Sequence, residues 1–491
     1  MTRANILVLD EGTTSTRAML FDGEGALHGV AQEELEQFYP ASGRVEHDAA
    51  EIWNKTLRCA QAMVEKAGGA AQVAAIGITN QRETVVAWDK TTGEPLTRAI
   101  VWQDRRTADA CAKLKEGGQE DMVRSRTGLL LDPYFSGTKM RWLLENDDAV
   151  RAAADAGTLA MGTVESWLVW KLTSGARFIS DASNASRTLL YNLEQGEWDE
   201  DLLDLFGVPR AVLPDIVDCA GELAETDSAL FGNAIPICGM AGDQQAATIG
   251  QGCLSPGDTK ATYGTGAFIL ANTGSTVPTS DNRLLSTVLY QLDGERHYAV
   301  EGAVFVAGSL IKYLRDTLGL IDDAGETEAL ARSITDSGGV VIVPALSGLG
   351  APHWRPDARA SITGLGFDTG RAHIARAALE AMSHQTHDLA LAFAADGAHW
   401  TGLKVDGGMS ANDWMAQDIA DVLGLPVTRP DFVETTALGA AMLAAVGCGM
   451  HADLQAAANA MIGSTRTFRP NMNADTRDER VARWEAAIAK V

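Results

Sequence analysis

The sequence predicts an α/β protein in which each half of the chain forms a mixed β-sheet covered by helices on both faces. Three observations lead to this prediction. The chain of 491 residues is too long for one hydrophobic core, strand and helix patterns alternate along it, and a strand-turn-strand segment near the start recurs in the second half. No low-complexity linker separates the halves, so we expect a compact hinge. We place the boundary near Ala246–Gly252, which gives domains of residues 1–248 and 249–491.

The first strand-turn-strand segment is Asp10–Arg17, between the apolar runs Ile6–Leu9 and Ala18–Phe21. Its turn offers backbone N–H groups and hydroxyls, and Gly12 allows phosphate oxygens to approach the main chain. The carboxylate of Asp10 at its edge can hold Mg²⁺, which prefers hard oxygen ligands and keeps several waters. The alternative is an ordinary hairpin with a polar turn.

A similar turn, Tyr263–Gly266, lies between the strand patterns Thr259–Thr262 and Ala267–Ala271. Two such turns predict a duplicated fold that holds one nucleotide from both sides. A third segment, Val405–Asn412, combines a strand end, two glycines and a helix cap. Adenine and ribose could lie on these glycines with Asn412 bonded to the base, although a plain βα turn explains the pattern equally well.

Composition and charge exclude several classes of function. The net charge of -25 argues against nucleic acid or an anionic membrane as a partner. The six cysteines are scattered without a Cys-x-x-Cys pair, as expected for a reducing cytosol and not for a zinc site. The first strand leaves no room for a signal peptide, and the apolar stretch 437–446 is too short to span a bilayer. We therefore expect a cytoplasmic protein with no membrane insertion.

Asp243 follows the predicted strand Ile235–Gly239 at the edge of the expected cleft. A carboxylate there can accept a proton from a substrate hydroxyl. Because a helical pattern continues from Ala246, Asp243 is an equally good candidate for a helix N-cap.

Arg82 and Glu83 follow another strand, Ile76–Thr79. Their donors and acceptors could grip a neutral polyhydroxy compound, although a surface ion pair of little energetic value is the alternative. Trp102 and Tyr134 could supply apolar walls against the carbon atoms of such a compound, and each could equally belong to the core.

The chain contains neither a P-loop nor a dinucleotide-binding Gly-x-Gly-x-x-Gly segment. Taken in order, its motifs resemble those of the FGGY family of carbohydrate kinases over nearly the whole chain. The segments that carry the resemblance are Asp10–Arg17, Gly77–Glu83, Val101–Gln103, Asp132–Lys139, Ala241–Ala246, Tyr263–Gly266 and Ser347–Pro352.

The resemblance implies two actin/Hsp70/RNase-H-like domains hinged around a central cleft. It also implies ATP and Mg²⁺ as cofactors, with ATP bound mainly by the C-terminal domain. The implied acceptor is glycerol, which binds in the N-terminal domain and becomes sn-glycerol 3-phosphate. Members of the family are often dimers or tetramers, so we expect a homo-oligomer. The rivals are a kinase of another polyol or ketose, and an actin- or Hsp70-like ATPase that would not need the polyol-binding residues.

The resemblance also assigns roles to residues. Asp243 is the expected general base and, with Asp10, the expected magnesium ligand. The expected acceptor residues, including two apolar walls, are Arg82, Glu83, Trp102, Tyr134, Asp243, Gln244 and Phe268. The expected nucleotide residues are Thr13, Thr14, Ser15, Arg17, Thr265, Gly308, Lys312, Gly408 and Asn412.

Two residues depart from the family pattern. Glu11 stands where the family commonly has Gln, and because alternate strand residues face opposite sides we expect it to point away from the phosphates. Lys312 stands where relatives often carry Gln near the adenine.

The segment Ser228–Ala234 lacks the Gly- and Arg-rich loop that binds fructose 1,6-bisphosphate in some relatives, and no histidine lies between His47 and His297 to serve as a phosphohistidine switch.

Overall fold

Each half of the chain folds around a mixed β-sheet, as predicted. The computed structural model describes residues 5–355 and 357–491. The strands of the first half are β1 (Asn5–Glu11), β2 (Ser15–Asp22), β3 (Leu27–Glu34), β4 (Glu46–His47), β5 (Val73–Asn80), β6 (Val86–Asp89), β7 (Ala99–Ile100), β8 (Leu159–Gly162), β9 (Ile179–Asp181), β10 (Tyr191–Asn192), β11 (Glu197–Trp198), β12 (Asp215–Val217), β13 (Ala220–Glu225) and β14 (Pro236–Gly242). Its helices are α1 (Ala49–Lys66), α2 (Ala108–Glu116), α3 (Glu120–Thr127), α4 (Ser136–Asn146), α5 (Asp148–Asp155), α6 (Val164–Leu172), α7 (Ala182–Ala185), α8 (Glu200–Phe206), α9 (Ser228–Phe231) and α10 (Asp243–Gly250).

The second half repeats this alternation. Its strands are β15 (Thr259–Tyr263), β16 (Ala267–Gly274), β17 (Leu285–Leu292), β18 (Glu295–Val304), β19 (Val341–Val343), β20 (Ser361–Thr363), β21 (Leu403–Asp406), β22 (Val427–Pro430) and β23 (Thr465–Phe468). Its helices are α11 (Gly308–Asp316), α12 (Glu326–Arg332), α13 (Arg371–Ala395), α14 (Asp413–Leu423), α15 (Thr435–Gly447), α16 (Leu454–Met461) and α17 (Ala474–Ile488). Short 3₁₀ turns cover residues 70–72, 210–212 and 408–411.

The two large sheets share the arrangement of their central strands. The first has the order β13-β14-β5-β1-β2-β3, and the second has the order β17-β18-β16-β15-β21-β22-β23. In both, the first strand is antiparallel to the strand that follows it (β2 or β16) and parallel to a later strand (β5 or β21). Each predicted turn therefore joins the two equivalent strands of its own sheet, which confirms the predicted fold class.

Helices α10 and α15 cross so closely that their backbones touch. A Cβ atom at Gly439 would lie 1.8 Å from the carbonyl oxygen of Ala246, and one at Gly250 would lie 1.9 Å from that of Thr435. Helix α15 also lies against the first sheet, since a Cβ atom at Gly77 would be 2.5 Å from the carbonyl oxygen of Ala440. A helix from the second half of the sequence thus covers the sheet of the first half.

Helix α10 is joined to the second sheet as well. Just after its end, the ammonium of Lys404 donates to the carbonyl oxygen of Gln251 at 2.8 Å, and the Gln251 side chain donates to Asp406 at 2.8 Å. The predicted boundary at residue 248 falls in the last turn of α10, and it stays a prediction. What the structure adds is that α10 and α15 form a layer common to both sheets.

Several local expectations differ from the structure. The sequence pattern predicts a helix over Phe305–Asp316, but the helix begins only at Gly308. The N–H groups of Ala307 and Gly308 donate instead to the carbonyl oxygens of Thr265 and Gly264 and hold this segment against the second turn. The pattern also predicts a strand over Thr84–Asp89, which in the structure begins at Val86. Strand β3 and several helices, among them α3, α5, α6, α8, α12, α16 and α17, were not predicted. Strand β3 lacks the apolar pattern of a buried strand because it is a largely exposed edge strand.

Glu11 points away from Asp10, as expected from strand alternation. It is fully buried, and its Oε1 accepts hydrogen bonds from Thr16 and from Thr56 of α1. Its Oε2 has no hydrogen-bond partner among the described residues. Burial outweighs the two hydroxyl donors and raises the pKa of Glu11 to about 8. This side chain is therefore protonated at neutral pH, when it resembles the amide of Gln.

Within residues 5–355 and 357–491, no helix combines the length and the apolar character required to cross a bilayer.

We predict that Gly439→Ala destabilises the protein by about 3 kcal/mol or more, because the added methyl group must separate two helices in backbone contact. In an unconstrained helix the same change stabilises by about 1 kcal/mol, so the sign of the stability change distinguishes the close crossing from an ordinary helix position. The measurement is the denaturation midpoint. Gly463→Ala, where an added Cβ meets nothing within 4 Å, is the control. A neutral or stabilising effect at Gly439 would contradict the close crossing.

We also predict that Glu11→Gln stabilises the protein increasingly as pH rises. The folded pKa of about 8 lies above the ordinary value of 4.5, so the wild type loses stability between these pH values, by up to about 1.4 kcal/mol per pH unit. The amide does not titrate. Denaturation midpoints at pH 5 and pH 8.5 should show a larger advantage of the variant at pH 8.5. Glu116→Gln, at an exposed position of α2, controls for the loss of one charge, and an equal advantage at both pH values would refute the prediction.

Candidate active site

Asp243 is the first residue of α10, directly after the end of β14. The helix N-cap is Gly242, so the alternative interpretation of Asp243 as the cap is wrong. Its Oδ1 accepts a hydrogen bond from the backbone N–H of Gln244 at 2.6 Å and lies 3.3 Å from Nε of Arg82. The side chain retains 36% of its accessible surface. A partly exposed carboxylate thus lies at a helix N-terminus beside a buried arginine.

The electrostatic environment of Asp243 combines burial with cations. Burial of the surrounding site is the main cause that raises the pKa of Asp243 above its ordinary value, and the charge of Asp10 adds to the rise. The charges of Arg82 and Lys260 act in the opposite direction. Asp243 is therefore a stronger base than an exposed aspartate, and two neighbouring cations favour its ionised form.

Arg82, Tyr134 and Trp102 form one connected cluster beside Asp243. Nη2 of Arg82 donates to the hydroxyl of Tyr134 at 3.3 Å, and the rings of Tyr134 and Trp102 meet edge to face with centroids 5.6 Å apart. The indole N–H of Trp102 donates to the hydroxyl of Thr13 at 2.9 Å. The predicted apolar walls therefore touch both a predicted acceptor residue and the first turn.

Arg82 and Glu83 are both buried, so the alternative of a surface ion pair is wrong. Nε of Arg82 lies 3.8 Å from Oε1 of Glu83, and Nε of Arg187 donates to the same oxygen at 2.7 Å. Glu83 has a φ of 63°, an uncommon conformation for a residue other than glycine. The tight backbone after β5 turns both side chains into the protein interior.

The second sheet contributes to the same site. The ammonium of Lys260 on β15 donates to the side-chain oxygen of Gln244 at 2.7 Å. Phe268 on β16 is half-buried and pairs with Thr262 on β15. Burial lowers the pKa of Lys260, while the charges of Asp406 and Asp243 raise it. The predicted acceptor residues Gln244 and Phe268 thus lie beside a cation that the sequence analysis missed.

The first turn is closed by a hydrogen bond from the N–H of Gly12 to the carbonyl oxygen of Ser15 at 3.0 Å. Thr14 is exposed, and the Ser15 hydroxyl accepts from Gln32 at 3.0 Å. Arg17 pairs with Asp10 at 2.5 Å and with Glu434 at 2.7 Å. Since Glu434 is the N-cap residue of α15, Arg17 links the turn to the helix layer between the sheets.

The second turn borders a cavity of about 690 Å³, a size typical of ligand pockets. It is lined by the five nucleotide residues predicted for the second half, namely Thr265, Gly308, Lys312, Gly408 and Asn412. Within the described part of the chain, the residues of the first turn do not line this cavity.

Asn412 acts as a helix cap in this cavity. Its side-chain oxygen caps α14 by accepting from the N–H of Met415 at 3.0 Å, and its amide donates to Thr327 at 3.2 Å. The plain βα-turn interpretation is therefore correct for its local structure, while its place in the cavity wall leaves the nucleotide role as a prediction.

Asp10 and Asp243 have the donor chemistry that a magnesium ion requires. Asp10 is 4% exposed, and burial raises its pKa, as it does for Asp243. Their mutual repulsion is relieved by a divalent cation. No group of three or more candidate metal ligands occurs among the described residues. Carboxylate oxygens are the donor type that Mg²⁺ prefers, and a protein often supplies only one or two of them because waters and phosphate oxygens complete the coordination.

Three charged residues of the site escaped the sequence analysis: Arg187, Lys260 and Glu301. Each is almost fully buried. Glu301 is the one charged residue in the stretch 298–304 of β18, and a lone charge within an otherwise uncharged strand was a usable signal. Lys260 lies in a short strand of mixed composition, where the signal is weaker. Arg187 follows the short helix α7 and carries no comparable signal.

Comparison with known proteins places these features in a family. The model of the FGGY family of carbohydrate kinases, N-terminal domain, matches residues 5–250, and the model of the C-terminal domain of the same family matches residues 259–448. A glycerol kinase from Alcanivorax borkumensis is 54% identical over 488 residues, covering 99% of this chain and 98% of that protein. One from Rhodospirillum rubrum is 52% identical over 488 residues, covering 99% and 98%.

Solved structures of carbohydrate kinases have the same fold as this chain. The glycerol kinase of Plasmodium falciparum, crystallised with ADP, superposes with a TM-score of 0.94 at 34% identity, covering 99% of this chain and 98% of that chain. A xylulose kinase from Rhodospirillum rubrum has a TM-score of 0.88 at 24% identity, covering 99% and 98%, which supports the fold alone. Family models, full-length relatives and fold agree with the resemblance. The chain belongs to the FGGY family of carbohydrate kinases.

Proposed function

We propose that this protein transfers the terminal phosphoryl group of ATP to a terminal hydroxyl of glycerol, which yields sn-glycerol 3-phosphate and ADP. The observation that carries the proposal is the similarity to glycerol kinases at 50–54% identity over nearly the whole chain. It is supported by the convergence of the predicted acceptor residues around the first turn of α10. The rival kinases of other polyols or ketoses are tested below.

The acceptor side is suited to a small polyol. In the proposal, glycerol hydroxyls bind to the polar residues, and its carbon atoms lie between two aromatic rings of Trp102 and Phe268. The hydrogen-bonding residues are Arg82, Glu83, Tyr134, Asp243 and Gln244. Because Trp102 also donates to Thr13, the acceptor lies next to the first phosphate-binding turn.

The reaction requires one proton transfer and one displacement at phosphorus. Asp243 takes the proton from the attacking hydroxyl, whose oxygen forms a bond to the γ-phosphorus. The bond from that phosphorus to the β,γ-bridging oxygen breaks, and its electron pair leaves with ADP. The raised pKa of Asp243 makes its carboxylate a better proton acceptor. General-base help of this kind contributes roughly 10²–10⁴-fold to the rate.

In the proposal, the nucleotide binds to the two turns and in the cavity beside the second turn. Thr13, Thr14, Ser15 and Arg17 would hold the terminal phosphates from the first sheet, and Thr265 would hold them from the second. Adenosine would occupy the cavity between the second turn and α14, whose lining contains Gly308, Lys312, Gly408 and Asn412. Positioning and charge neutralisation are the main contributions a protein makes to this reaction.

Asp10 and Asp243 are the proposed ligands of the metal ion. They would hold Mg²⁺, which when bound would supply positive charge against the phosphate oxygens. In a protein with a net charge of -25, the phosphates depend on such local neutralisation.

Water competes with glycerol as a nucleophile. Closure of the hinge around bound glycerol would complete the site only when the correct acceptor is present, which limits hydrolysis of ATP. An assembly of two or four copies and a location in the cytoplasm, both expected from the sequence, are parts of the same proposal.

The direct test is ADP release by the purified protein. We expect Mg·ATP turnover to rise at least about 100-fold on addition of glycerol, with weaker stimulation by xylulose, ribulose and other polyols. A ketose that exceeds glycerol in kcat/KM would favour the rival kinase. ATP hydrolysis that ignores every acceptor would favour the ATPase.

We predict that Asp243→Asn lowers kcat by about 10²–10⁴-fold, because the amide cannot accept the hydroxyl proton. Calorimetry should still detect binding of glycerol and of ATP. Asp204→Asn, on the exposed side of α8, is the matched control and should keep wild-type turnover. Turnover of Asp243→Asn within a few fold of the wild type would remove this residue from the base role.

A further inference from the structure

Glu301 connects two buried arginines of the first half to the sheet of the second. It lies on β18 and is 1% exposed. One of its oxygens accepts from Nη1 of Arg82 at 2.6 Å. The other accepts from Nη2 of Arg82 at 3.3 Å and from Nη2 of Arg187 at 3.1 Å. A single carboxylate thus binds both guanidinium groups.

This carboxylate stays ionised in spite of its burial. Burial would raise the pKa of Glu301, but the charges of Arg187 and Arg82 together with the hydrogen bond from Arg82 lower it to about 2. Without Glu301, the two buried guanidinium groups would have less negative charge nearby to offset their mutual repulsion. Loss of one partner from such a group leaves an uncompensated buried charge.

The bidentate pair fixes the plane of the Arg82 guanidinium. With Nη1 and Nη2 both engaged by Glu301, the Nε edge of the group is directed towards Asp243, whose Oδ1 lies 3.3 Å away. Nη2 also donates to the hydroxyl of Tyr134 at 3.3 Å, and Nη1 also donates to the side-chain oxygen of Gln245 at 3.5 Å. Because a guanidinium is planar, fixing two of its nitrogens determines how the third is presented.

Arg187 extends the same arrangement to Glu83. Its Nε donates to Oε1 of Glu83 at 2.7 Å, while its Nη2 donates to Glu301. The guanidinium carbon lies 5.2 Å from the centre of the Phe135 ring. The orientation of a second proposed glycerol ligand therefore depends on Glu301 through one intermediate residue.

The position of Glu301 in the second sheet is fixed by strand register. Leu270 is paired with Lys260 on one side and with Glu301 on the other, so these three residues form one row across β15, β16 and β18. Phe268 pairs with Ala303, two residues further along β18. Directly opposed residues of antiparallel strands share a face. Lys260, Phe268 and Glu301 therefore project from the same face, where Lys260 bonds to Gln244 and Glu301 to Arg82.

We propose that Glu301 is a positioning residue of the acceptor site, supplied by the second half of the chain, which sets the orientation of Arg82 directly and of Glu83 through Arg187. This inference rests on the proposed phosphorylation of glycerol, and nothing in it requires Glu301 to touch the substrate. The acceptor site is then built from both sheets, and glycerol binds with full affinity only when they are correctly apposed.

The test is Glu301→Gln, which keeps the shape but removes the charge. We expect kcat/KM for glycerol to fall by about 10–100-fold, mainly through KM, as for loss of hydrogen bonds to a charged group. The KM for ATP at saturating glycerol should stay within about 2-fold, since the nucleotide cavity is lined by other residues. Glu301→Asp keeps the charge on a shorter side chain and should recover part of the loss.

Glu295→Gln, at the exposed start of the same strand, is the matched control and should behave as the wild type. A general loss of structure would change both KM values and kcat together. The inference is wrong if Glu301→Gln leaves the KM for glycerol unchanged, or if it weakens ATP and glycerol equally. A wild-type protein without glycerol-dependent ADP formation would instead refute the proposed function.

If Glu301→Gln does not fold, the double variant Arg187→Gln/Glu301→Gln removes one charge of each sign and keeps the buried site closer to neutral. Arg82 still loses its bidentate acceptor there. We expect the same rise in the KM for glycerol with an unchanged KM for ATP. Wild-type values for both would overturn the inference.

Discussion

The backbone contact between α10 and α15 is the constraint on which the site depends. Two glycines, Gly250 and Gly439, let the helices approach until any side chain at either position would strike the other backbone. Helix α15 lies on the first sheet. Gln244 of α10 and Gln251, just after α10, form hydrogen bonds with residues of the second sheet. Asp243, at the start of α10, is thereby held between two sheets that belong to different halves of the chain.

The charges of the site follow from this placement. A carboxylate removed from bulk water becomes a stronger base but needs cations to remain ionised. Arg82 and Lys260 supply them, and each is itself held by a polar partner, Glu301 for Arg82 and Gln244 for Lys260. The acceptor site is therefore a set of buried charges that compensate one another, and its geometry depends on the apposition of the two halves.

The parts of the fold predicted from the sequence are those set by local pattern. The two turns, α1 and most strands of the large sheets follow from apolar periodicity and from small residues at the turns. The amphipathic pattern predicts a helix over Ala49–Lys66, and α1 has these bounds. Edge strand β3 and short helices such as α3 carry weaker patterns. The docking of α15 on the first sheet depends on pairs of residues far apart in the chain, which periodicity does not reveal.

The same distinction holds for the site. Arg82, Glu83 and Asp243 stand at strand ends, where chemistry is expected, and the structure brings them together. Arg187 and Glu301 lie 114 positions apart and meet only in the folded protein. Their roles become visible through hydrogen-bond geometry and not through any motif.

The central claim is that residues of both sheets assemble one acceptor site around Asp243. A crystal structure with glycerol, Mg²⁺ and a non-hydrolysable ATP analogue tests it most directly. The account predicts a terminal hydroxyl of glycerol hydrogen-bonded to Asp243 and facing the γ-phosphorus, with Arg82 still paired to Glu301. Glycerol bound away from Asp243, or a terminal phosphate that cannot reach it in the closed complex, would contradict the account.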